Sequence, residues 1–258
     1  MINVIYNFVY IMLEYEEFLI MKLTNVTSDN IEIYNESLYK NTYIKGVLFD
    51  MDGVILDTEK LYTRFWVEAA RSLGYPMTHE MALGMRSLSR QAGEKQLKAY
   101  LGDDADYFAV RETRIRMMEA FIEENGVELK PGIHELLAFL KENNIKTSVA
   151  TSSPLDRTKK YLTQVGLVDE FDALVSGHMV EHGKPEPDIY IYAASNLGLK
   201  PEECLVLEDS PTGLLAAFRA GCVPVMVPDQ DEPDDEVKSR VYGVVKNLQS
   251  VCGLFREV

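Results

Sequence analysis

The chain has 258 residues, of which 26 are basic and 41 are acidic, and its formal net charge at neutral pH is −15. A chain this acidic would repel the phosphate backbone of a nucleic acid, so we expect no nucleic-acid partner. Hydrophobic residues make up 47% of the chain and charged residues 26%. This composition excludes disorder throughout and provides enough apolar material for a core larger than one small domain.

The first part of the chain has no clear hydrophobic period. Met1 to Ile20 is the one stretch similar to a targeting segment, but it lacks a basic start and a cleavage site, and three glutamates end its apolar run. We therefore expect no signal peptide and no membrane partner. We expect residues 1–42 to be a poorly ordered extension, with Met21 as an alternative start. The alternative is a peripheral helix that docks a partner.

Cysteine usage indicates the redox environment. The three cysteines, Cys204, Cys222 and Cys252, cannot all pair, and no two of them have the spacing of metal ligands. This pattern predicts a reducing compartment and no structural zinc. Together with the missing signal peptide, it predicts a cytoplasmic protein.

Short β-type runs recur from residue 45 onward, and helical stretches separate them. The predicted strands are Val47 to Phe49, Ile145 to Ala150, Phe171 to Val175, Cys204 to Leu207 and Val223 to Val227. Strands that alternate with helices predict an α/β fold with a parallel sheet.

One region, between about residues 60 and 130, has helical periodicity only. Leu61, Phe65, Ala69 and Leu73 recur every four residues there. The region holds 11 basic and 11 acidic residues, so the whole net charge of −15 lies outside it. The sequence thus predicts a core at residues 43–59 and 131–258 and an inserted helical cap at residues 60–130, which can meet an anion without net repulsion.

Four carboxylates follow two of the predicted strands. Asp50 and Asp52 follow the first strand, and Glu208 and Asp209 follow another. Because the carboxyl ends of parallel strands share one edge of a sheet, these acids can converge. Two carboxylates about 4 Å apart repel by roughly 4 kcal/mol at an effective dielectric constant near 20. All-oxygen ligands of this kind suit Mg²⁺, which we expect as the cofactor.

The other predicted site residues fit the transfer of a phosphoryl group. Of Asp50 and Asp52, one carboxylate can attack phosphorus while the other handles protons. Thr151 and Ser152 follow a third strand and can meet phosphoryl oxygens, although they could equally cap the next helix. Lys184, between a glycine and a proline, would supply a cation beside Asp50.

Together these segments resemble the four motifs of the haloacid dehalogenase superfamily. The matching segments are Phe49 to Val54, Thr151-Ser152, Lys184 and Leu207 to Ser210. Their order and the helical insert resemble the branch that contains β-phosphoglucomutase and many small-molecule phosphatases. The resemblance implies a Rossmann-like core under a helical cap, with Mg²⁺ bound by Asp50, by Glu208 or Asp209, and by the Asp52 carbonyl. The second aspartate, Asp52, indicates phosphate chemistry rather than dehalogenation.

The chain departs from the mutase pattern at two places. It has Tyr62 where the mutases carry a cap-hinge histidine, and Pro154-Leu155 where they carry Lys-Asn. Both departures favour transfer of the phosphoryl group to water, and the run from Phe49 to Tyr62 is similar to that of pseudouridine-5′-phosphatase-like enzymes. We therefore expect a phosphatase that acts on a small phosphorylated metabolite, a sugar phosphate or nucleoside monophosphate. A sugar-phosphate mutase and a non-catalytic phospholigand-binding protein are the alternatives.

Three residues of the cap are candidates for contact with the substrate. Arg86 and Arg90 lie four residues apart in a segment without acids, although a solvated face or ion pairs within the cap would also explain them. Tyr62 could line the cleft or pack in the hinge. The acidic segment Asp229 to Glu236 is expected to be a solvated loop. We expect the protein to act as a monomer or a weak homo-oligomer.

Overall fold

The structure is a computed structural model that describes residues 21–23, 28–39, 42–86, 88 and 90–257. Its strands are β1 Met21–Leu23, β2 Ile31–Ile33, β3 Tyr43–Ile44, β4 Gly46–Phe49, β5 Lys146–Thr151, β6 Ala173–Ser176, β7 Cys204–Glu208, β8 Val223–Met226, β9 Gly243–Val245 and β10 Phe255–Glu257. Its α-helices are α1 Glu59–Ser72, α2 His79–Leu83, α3 Arg90–Leu101, α4 Tyr107–Asn125, α5 Ile133–Glu142, α6 Leu155–Gln164, α7 Asp188–Asn196, α8 Pro211–Ala220, α9 Asp235–Lys238 and α10 Leu248–Val251.

Seven strands form the main sheet in the order β2-β9-β8-β7-β4-β5-β6. Neighbouring strands are parallel except for β2 and β9, which are antiparallel. The central strand β4 pairs with β5 and β7, so that Phe49 lies beside Val149 and Leu207. All three side chains are fully buried, as expected where helices cover both faces of a parallel sheet. The predicted α/β fold is confirmed, and the carboxyl ends of β4, β5 and β7 meet at one edge.

The helices of the core begin and end where local chemistry predicts. Helix α8 starts after Ser210, whose hydroxyl accepts a hydrogen bond of 3.1 Å from the Gly213 N–H, and it ends at Gly221 with φ of 80°. Helix α5 follows Gly132, which has φ of 91° and lies against Gln249. A Cβ at position 132 would come within 2.3 Å of the Gln249 nitrogen, so only glycine fits.

Helices α1 to α4 form the predicted all-helical insertion, since none of the described residues between α1 and α4 lies in a strand. Trp66 of α1 and Tyr107 of α4 pack with ring centroids 5.9 Å apart, within an apolar cluster of the cap's own. Helix α4 begins at Tyr107 because the side chain of Asp106 accepts a hydrogen bond from the Ala109 N–H.

Two chain segments connect the cap to the core, and they run side by side. The Asp57 N–H donates to the Glu128 carbonyl at 2.9 Å, and the Lys130 N–H donates to the Ile55 carbonyl at 2.9 Å. These bonds hold the two connections in register beneath the cap. Across the residues described by the structure, no helix has the length and hydropathy of a membrane span.

Part of the segment expected to be poorly ordered belongs to the folded core. Strand β1 pairs with β10 and β3, and β2 pairs with β9. Met21 and Ile31 are buried, so the expectation is wrong for these strands. Strands β10 and β9, which pair with β1 and β2, lie more than 200 residues away in the chain, and no local pattern reveals such long-range pairing. The stretch considered as a targeting segment, Met1 to Ile20, lies outside the described residues.

Candidate active site

Three carboxylates meet at the edge where β4 and β7 end. Asp50 directly follows β4, and its N–H donates to the Leu207 carbonyl at 3.0 Å. Glu208 is the last residue of β7, and Asp209 follows it. Asp50, Glu208 and Asp209 each offer an oxygen within 4.8 Å of the other two, and all three residues are buried. The structure thus brings together acids that lie more than 150 residues apart in the chain.

Lys184 lies between two of these acids. Its Nζ is 2.5 Å from Oδ1 of Asp50 and 2.6 Å from Oε1 of Glu208, and it donates to the Ala150 carbonyl at 3.2 Å. Burial acts to lower the pKa of Lys184, but the charges of Asp50 and Glu208 hold it well above its ordinary value. The ammonium is therefore charged at neutral pH and neutralises part of the carboxylate cluster.

Glu208 has protein partners for both of its carboxylate oxygens. Oε1 accepts hydrogen bonds from Lys184 and from the Tyr190 hydroxyl at 2.8 Å. Oε2 accepts from the N–H groups of Asp209 and Ser210, both at 3.1 Å, and from the Ser210 hydroxyl. Burial acts to raise the pKa of Glu208, but Lys184 and these hydrogen bonds hold it below its ordinary value. Glu208 is an ionised carboxylate with little remaining capacity for another ligand.

Asp209 has the opposite environment. It is 8% exposed, and within the described part of the chain no group donates a hydrogen bond to its side chain. Burial, Glu208 and Asp50 raise the pKa of Asp209 well above its ordinary value. A Cβ at Gly53 would lie 2.3 Å from Oδ2 of Asp209, so the turn after β4 closes around this oxygen. A buried carboxylate that faces only like charges fits a divalent cation.

Asp50 is the acid that links these two environments. Burial raises the pKa of Asp50 to about 7; Lys184 opposes this shift, and Glu208 and Asp52 add to it. Because Lys184 contacts Oδ1, Oδ2 is the oxygen left for a ligand or a reacting atom. Asp209 and Asp50 could hold Mg²⁺ together with the Asp52 carbonyl, the predicted third ligand.

Two hydroxyl groups orient the side chain of Asp52. Thr58 donates to Oδ1 at 2.7 Å, and Ser153 donates to Oδ2 at 2.9 Å. Sequence reasoning missed both partners. Thr58 precedes α1 and has the sequence signal of a helix cap, but it makes no capping hydrogen bond. Its hydroxyl instead points to Asp52, which only the path of the chain after β4 could reveal.

The predicted phosphate-binding residues lie at the end of β5. Thr151 is buried, and its Oγ1 accepts a hydrogen bond of 3.0 Å from the Ser153 N–H. Ser152 is exposed and lies against Gly177, where a Cβ would be 3.3 Å from the Ser152 Cα. Neither side chain caps α6, because the cap position is Pro154 and has no side-chain hydrogen bond. The capping alternative is therefore wrong.

The structure separates the predicted cap residues. Tyr62 is half-buried on α1, with the guanidinium of Arg114 4.7 Å from its ring centroid. Nη2 of Arg86 lies 2.5 Å from Oδ1 of Asp231 in the core. Arg90 is exposed at the start of α3. Of the two predicted arginines, Arg86 thus has an acidic partner, which lies across the cleft and not within the cap.

The acidic segment at 229–236 is more than the expected solvated loop. Asp229 is only 7% exposed in its side chain, and its Oδ1 pairs with Nζ of Lys130 at 2.6 Å. Asp231 pairs with Arg86, and Asp234 accepts a hydrogen bond that caps α9. The expectation is wrong for Asp229 and Asp231, because they follow β8 at the same sheet edge as the site, where cations of the cap and hinge reach them. Glu232 and Asp234 to Glu236 are exposed, as expected.

Glu59 is a further acid that the sequence pattern did not single out. It occupies the first turn of α1, where an acidic residue is an ordinary helix-start signal. Burial, followed by the charges of Asp52 and Asp229, raises its pKa to about 8. A carboxyl group that is protonated near neutral pH can donate a hydrogen bond to a ligand in the cleft.

Comparison with known proteins agrees with this geometry. A family model described as haloacid dehalogenase-like hydrolase matches residues 44–221. The chain is 34% identical over 209 residues to a phosphorylated carbohydrates phosphatase of Thermotoga maritima, covering 80% of this chain and 87% of that protein. It is 32% identical over 190 residues to the β-phosphoglucomutase of Bacillus subtilis, covering 71% and 83% of the two chains.

The same architecture is found in a solved structure. The CbbY protein of Rhodobacter sphaeroides in complex with phosphate superimposes with a TM-score of 0.68 and 27% sequence identity. The superposition covers 82% of this chain and 99% of that one. The sheet and the helical insertion that the sequence indicated are thus shared with this phosphate-bound protein.

Proposed function

The chain belongs to the haloacid dehalogenase-like hydrolase family, and from that premise we propose that it is a Mg²⁺-dependent phosphatase of a small phosphorylated metabolite. As a member of this family, it is a phosphoric monoester hydrolase. The observation that carries the proposal is the group formed by Asp50, Lys184 and Asp209, with the Asp52 side chain held beside it. This group contains a nucleophile, a cation, a metal ligand and a proton carrier.

Asp50 is the proposed nucleophile. Its Oδ2 attacks the phosphorus atom of the substrate, a bond forms between this oxygen and phosphorus, and the bond to the alcohol oxygen breaks. Asp52 delivers a proton to the departing alcohol. Asp52 then takes a proton from water as the water attacks the phosphoaspartate, which releases inorganic phosphate and regenerates both carboxyl groups.

Three further sets of residues support the transfer. Lys184 holds Oδ1 of Asp50 through a contact of 2.5 Å, which leaves the second oxygen directed towards the substrate and stabilises the negative charge that develops. Thr151 and Ser152 lie at the end of the neighbouring strand, where a hydroxyl and turn N–H groups can hold phosphoryl oxygens. The hydroxyls of Thr58 and Ser153 fix the orientation of Asp52.

The donor set fits Mg²⁺. Asp50 and Asp209 are buried and offer carboxylate oxygens, and Asp209 faces like charges without a hydrogen-bond donor from the described residues. Bound Mg²⁺ would neutralise the carboxylates and the phosphoryl oxygens and so lower the barrier to attack. The satisfied carboxylate of Glu208 favours Asp209 as the direct ligand. Glu208 then holds Lys184 in position.

The substrate class is proposed from the relatives and from the cleft. One relative is named as a phosphorylated carbohydrates phosphatase and another as a β-phosphoglucomutase. Glu59, with its pKa raised to about 8, and the hinge residue Tyr62 offer polar groups beside Asp52 that suit hydroxyl groups. We therefore propose a sugar phosphate or a nucleoside monophosphate as substrate. Tyr62 and Pro154-Leu155, which replace the histidine and Lys-Asn of the mutase pattern, favour water as the phosphoryl acceptor.

A substrate panel with Mg²⁺ tests the proposal. Sugar phosphates, polyol phosphates and nucleoside monophosphates are incubated with the full chain, and inorganic phosphate and isomeric phosphates are both quantified. We expect phosphate release that depends on Mg²⁺. Interconversion of isomers, faster than phosphate release and stimulated by a bisphosphate, would identify a mutase. Mg²⁺-dependent binding of the panel compounds without turnover would identify a phospholigand-binding protein.

A further inference from the structure

Arg114 of α4 is a buried cation without an acidic partner among the residues that the structure describes. The residue is 6% exposed. Its guanidinium carbon lies 4.7 Å from the ring centroid of Tyr62 and 4.9 Å from that of Trp66. No described carboxylate forms an ion pair with it, and its Nε has no hydrogen-bond partner. The groups that act on it most strongly, apart from burial itself, are Tyr62, Arg111, Arg157 and Tyr107, none of them negatively charged at neutral pH.

Stacking on two aromatic rings does not offset the burial of this charge. A cation over an aromatic ring gains about 0.5–2 kcal/mol, whereas removal of an ion from water costs several kcal/mol in a protein. A folded protein can keep such an uncompensated buried cation when a bound ligand supplies the negative charge that the chain does not. A neutral hydroxyl group would satisfy hydrogen bonds of the guanidinium but would leave its charge unmatched.

Arg157 of α6 lies on the core side of the same cleft. Its side chain is 18% exposed, and its Nη2 donates to Oε1 of Glu119 on α4 at 2.9 Å. Its Nε has no hydrogen-bond partner among the residues that the structure describes. Because Glu119 is 46% exposed in its side chain, solvent weakens its contribution. Arg114 and Arg157 act on each other electrostatically and share two neighbours, Tyr62 and Tyr161.

Both arginines lie near Asp52, since Asp52, Arg114 and Arg157 all act electrostatically on Tyr62 and on Tyr161. The Thr58 hydroxyl that holds Asp52 belongs to the residue before α1, and Tyr62, beneath Arg114, follows one helical turn later with its N–H bonded to the Thr58 carbonyl. Arg157 lies four residues after Ser153, the other donor to Asp52. The group that leaves with a proton from Asp52 must therefore extend towards this pair.

We propose that Arg114 and Arg157 bind a second anionic group on the leaving part of the substrate. The group is a carboxylate or a further phosphate, either of which a guanidinium can hold through two hydrogen bonds. Of the substrates proposed above, the inference selects a sugar phosphate that carries a second acidic group, rather than a nucleoside monophosphate or a neutral polyol phosphate, whose leaving parts are neutral. This inference rests on the proposed phosphatase function, and it adds the charge of the leaving group.

Matched substrates test the proposal in the full chain with Mg²⁺. Each pair differs at one end only: a polyol phosphate against the corresponding phosphorylated aldonic acid, and a sugar monophosphate against its bisphosphate. We expect wild-type kcat/KM to favour the anionic member by at least about tenfold in one of the pairs, mainly through KM. The pair that shows the preference identifies the second group as carboxylate or phosphate.

Two substitutions then test whether Arg114 causes the preference for the anionic substrate. Arg114→Met should reduce the ratio of kcat/KM for the anionic over the neutral member by about tenfold or more. Arg116→Met removes an exposed arginine from the same helix and should leave the ratio unchanged. Arg114→Met should also unfold at the same or a higher temperature than wild type, because an apolar side chain replaces an unpaired buried charge.

The contrary results are equally specific. Absence of any preference for anionic substrates in the wild type would overturn the inference, while hydrolysis of neutral polyol phosphates would leave the proposed function intact. An equal loss of activity towards both members of a pair, with a lower unfolding temperature, would show that Arg114 has a structural role only. Thermal shifts measured with the same compounds detect binding of the second anionic group without turnover. The anionic member should raise the unfolding temperature of the wild type, and this stabilisation should be lost in Arg114→Met. If the stabilisation persists in Arg114→Met, the inference is overturned.

Discussion

Two sides of the cleft flank Asp50, and they differ in whether their buried charged groups have partners within the protein. On the Lys184 side, formed by Lys184, Glu208 and Tyr190, every charged group has protein partners at 2.5 to 2.8 Å. On the Asp209 side, formed by Asp209 and Glu59, each carboxyl group faces other acids and has no donor from the described chain.

The difference shows how the molecule divides two tasks. Paired charges on the Lys184 side hold Asp50, the proposed nucleophile, in place without a ligand, so they contribute to the stability of the folded chain. Unpaired groups on the Asp209 side reduce that stability until a cation or a substrate reaches them. Arg114, a buried cation with no acidic partner in the described part of the chain, repeats the second pattern in the cap. Substitutions on the two sides should therefore separate stability from activity.

The largest effect is expected at Asp50, where the two sides meet. Asp50→Asn removes the nucleophile, and turnover should fall by a factor on the order of 10⁴ or more. In Asp52→Asn, turnover should fall by a factor of roughly 10²–10⁴, because the substitution removes the proposed proton carrier. Both variants should retain the circular dichroism spectrum of the wild type. Phosphate release by Asp50→Asn at the wild-type rate would refute its assignment as nucleophile.

The next effect is expected on the Lys184 side. Lys184→Met leaves Asp50 and Glu208 as neighbouring buried carboxylates, so the free energy of unfolding should decrease by about 3–5 kcal/mol without metal. Turnover should be lost as well. Urea unfolding measures the change, and Lys159→Met, at an exposed position of α6, is the control. A stability equal to that of the control would show that Lys184 is not needed to hold the pair of acids.

On the Asp209 side, the change in stability should have the opposite sign to that expected for Lys184→Met. Without metal, Asp209→Asn relieves repulsion and should unfold at the same or a higher temperature than wild type. Saturating Mg²⁺ should stabilise the wild type by about 2.7 kcal/mol at a hundredfold excess over its Kd, and Asp209→Asn should lose most of this gain. Calorimetry with and without Mg²⁺ measures both changes. A metal-free Asp209→Asn variant that is clearly less stable would contradict the comparison.

The smallest effect is a pH dependence at Glu59. Its pKa is raised from 4.5 to about 8 in the folded chain, so its protonated form favours folding. Its contribution to stability is therefore complete below pH 4.5 and lost as pH rises through 8. Glu59→Gln cannot ionise, and it should exceed wild type in stability by on the order of 2 kcal/mol at pH 8 after allowance for partial exposure.

Urea unfolding of metal-free protein at pH 5 and pH 8 measures this difference. The two proteins should be close in stability at pH 5 and diverge as the pH rises. Parallel pH profiles for wild type and Glu59→Gln would show that Glu59 is not held in its protonated form.

The sequence predicted the positions of Asp50, Lys184 and Asp209 because each follows a strand or a turn with a clear local signal. The same reasoning missed Thr58 and Ser153. A threonine or serine next to a helix start has the same local pattern whether it caps the helix or donates to Asp52. The choice between these roles depends on how the loops after β4 and β5 approach each other.

Residues on the cap show the same limit more strongly. In the sequence, Arg114 has the pattern of an ordinary polar position in a long helix. Its burial depends on the packing of α4 against α1, which the sequence pattern does not show. Arg86 was predicted to contact substrate, with a solvated face or an ion pair within the cap as the alternatives. The structure pairs it with Asp231 in the core, and its contact with substrate stays a prediction. Periodicity predicts which face of a helix is apolar, but it does not predict which residues of another segment meet that face.

The sequence by itself determined the five strands β4 to β8 and the helices between them, the helical insertion and the acids at the strand ends. These features depend on periodicity and turn chemistry, which are local. Only the tertiary structure decided that both oxygens of Glu208 accept hydrogen bonds while the side chain of Asp209 receives none from the described residues, and that Arg114 is buried without an ion pair to a described acid. Hydrogen-bond partners and burial are set by segments distant in the chain, because each polar group is satisfied or left unpaired by whatever the fold packs against it.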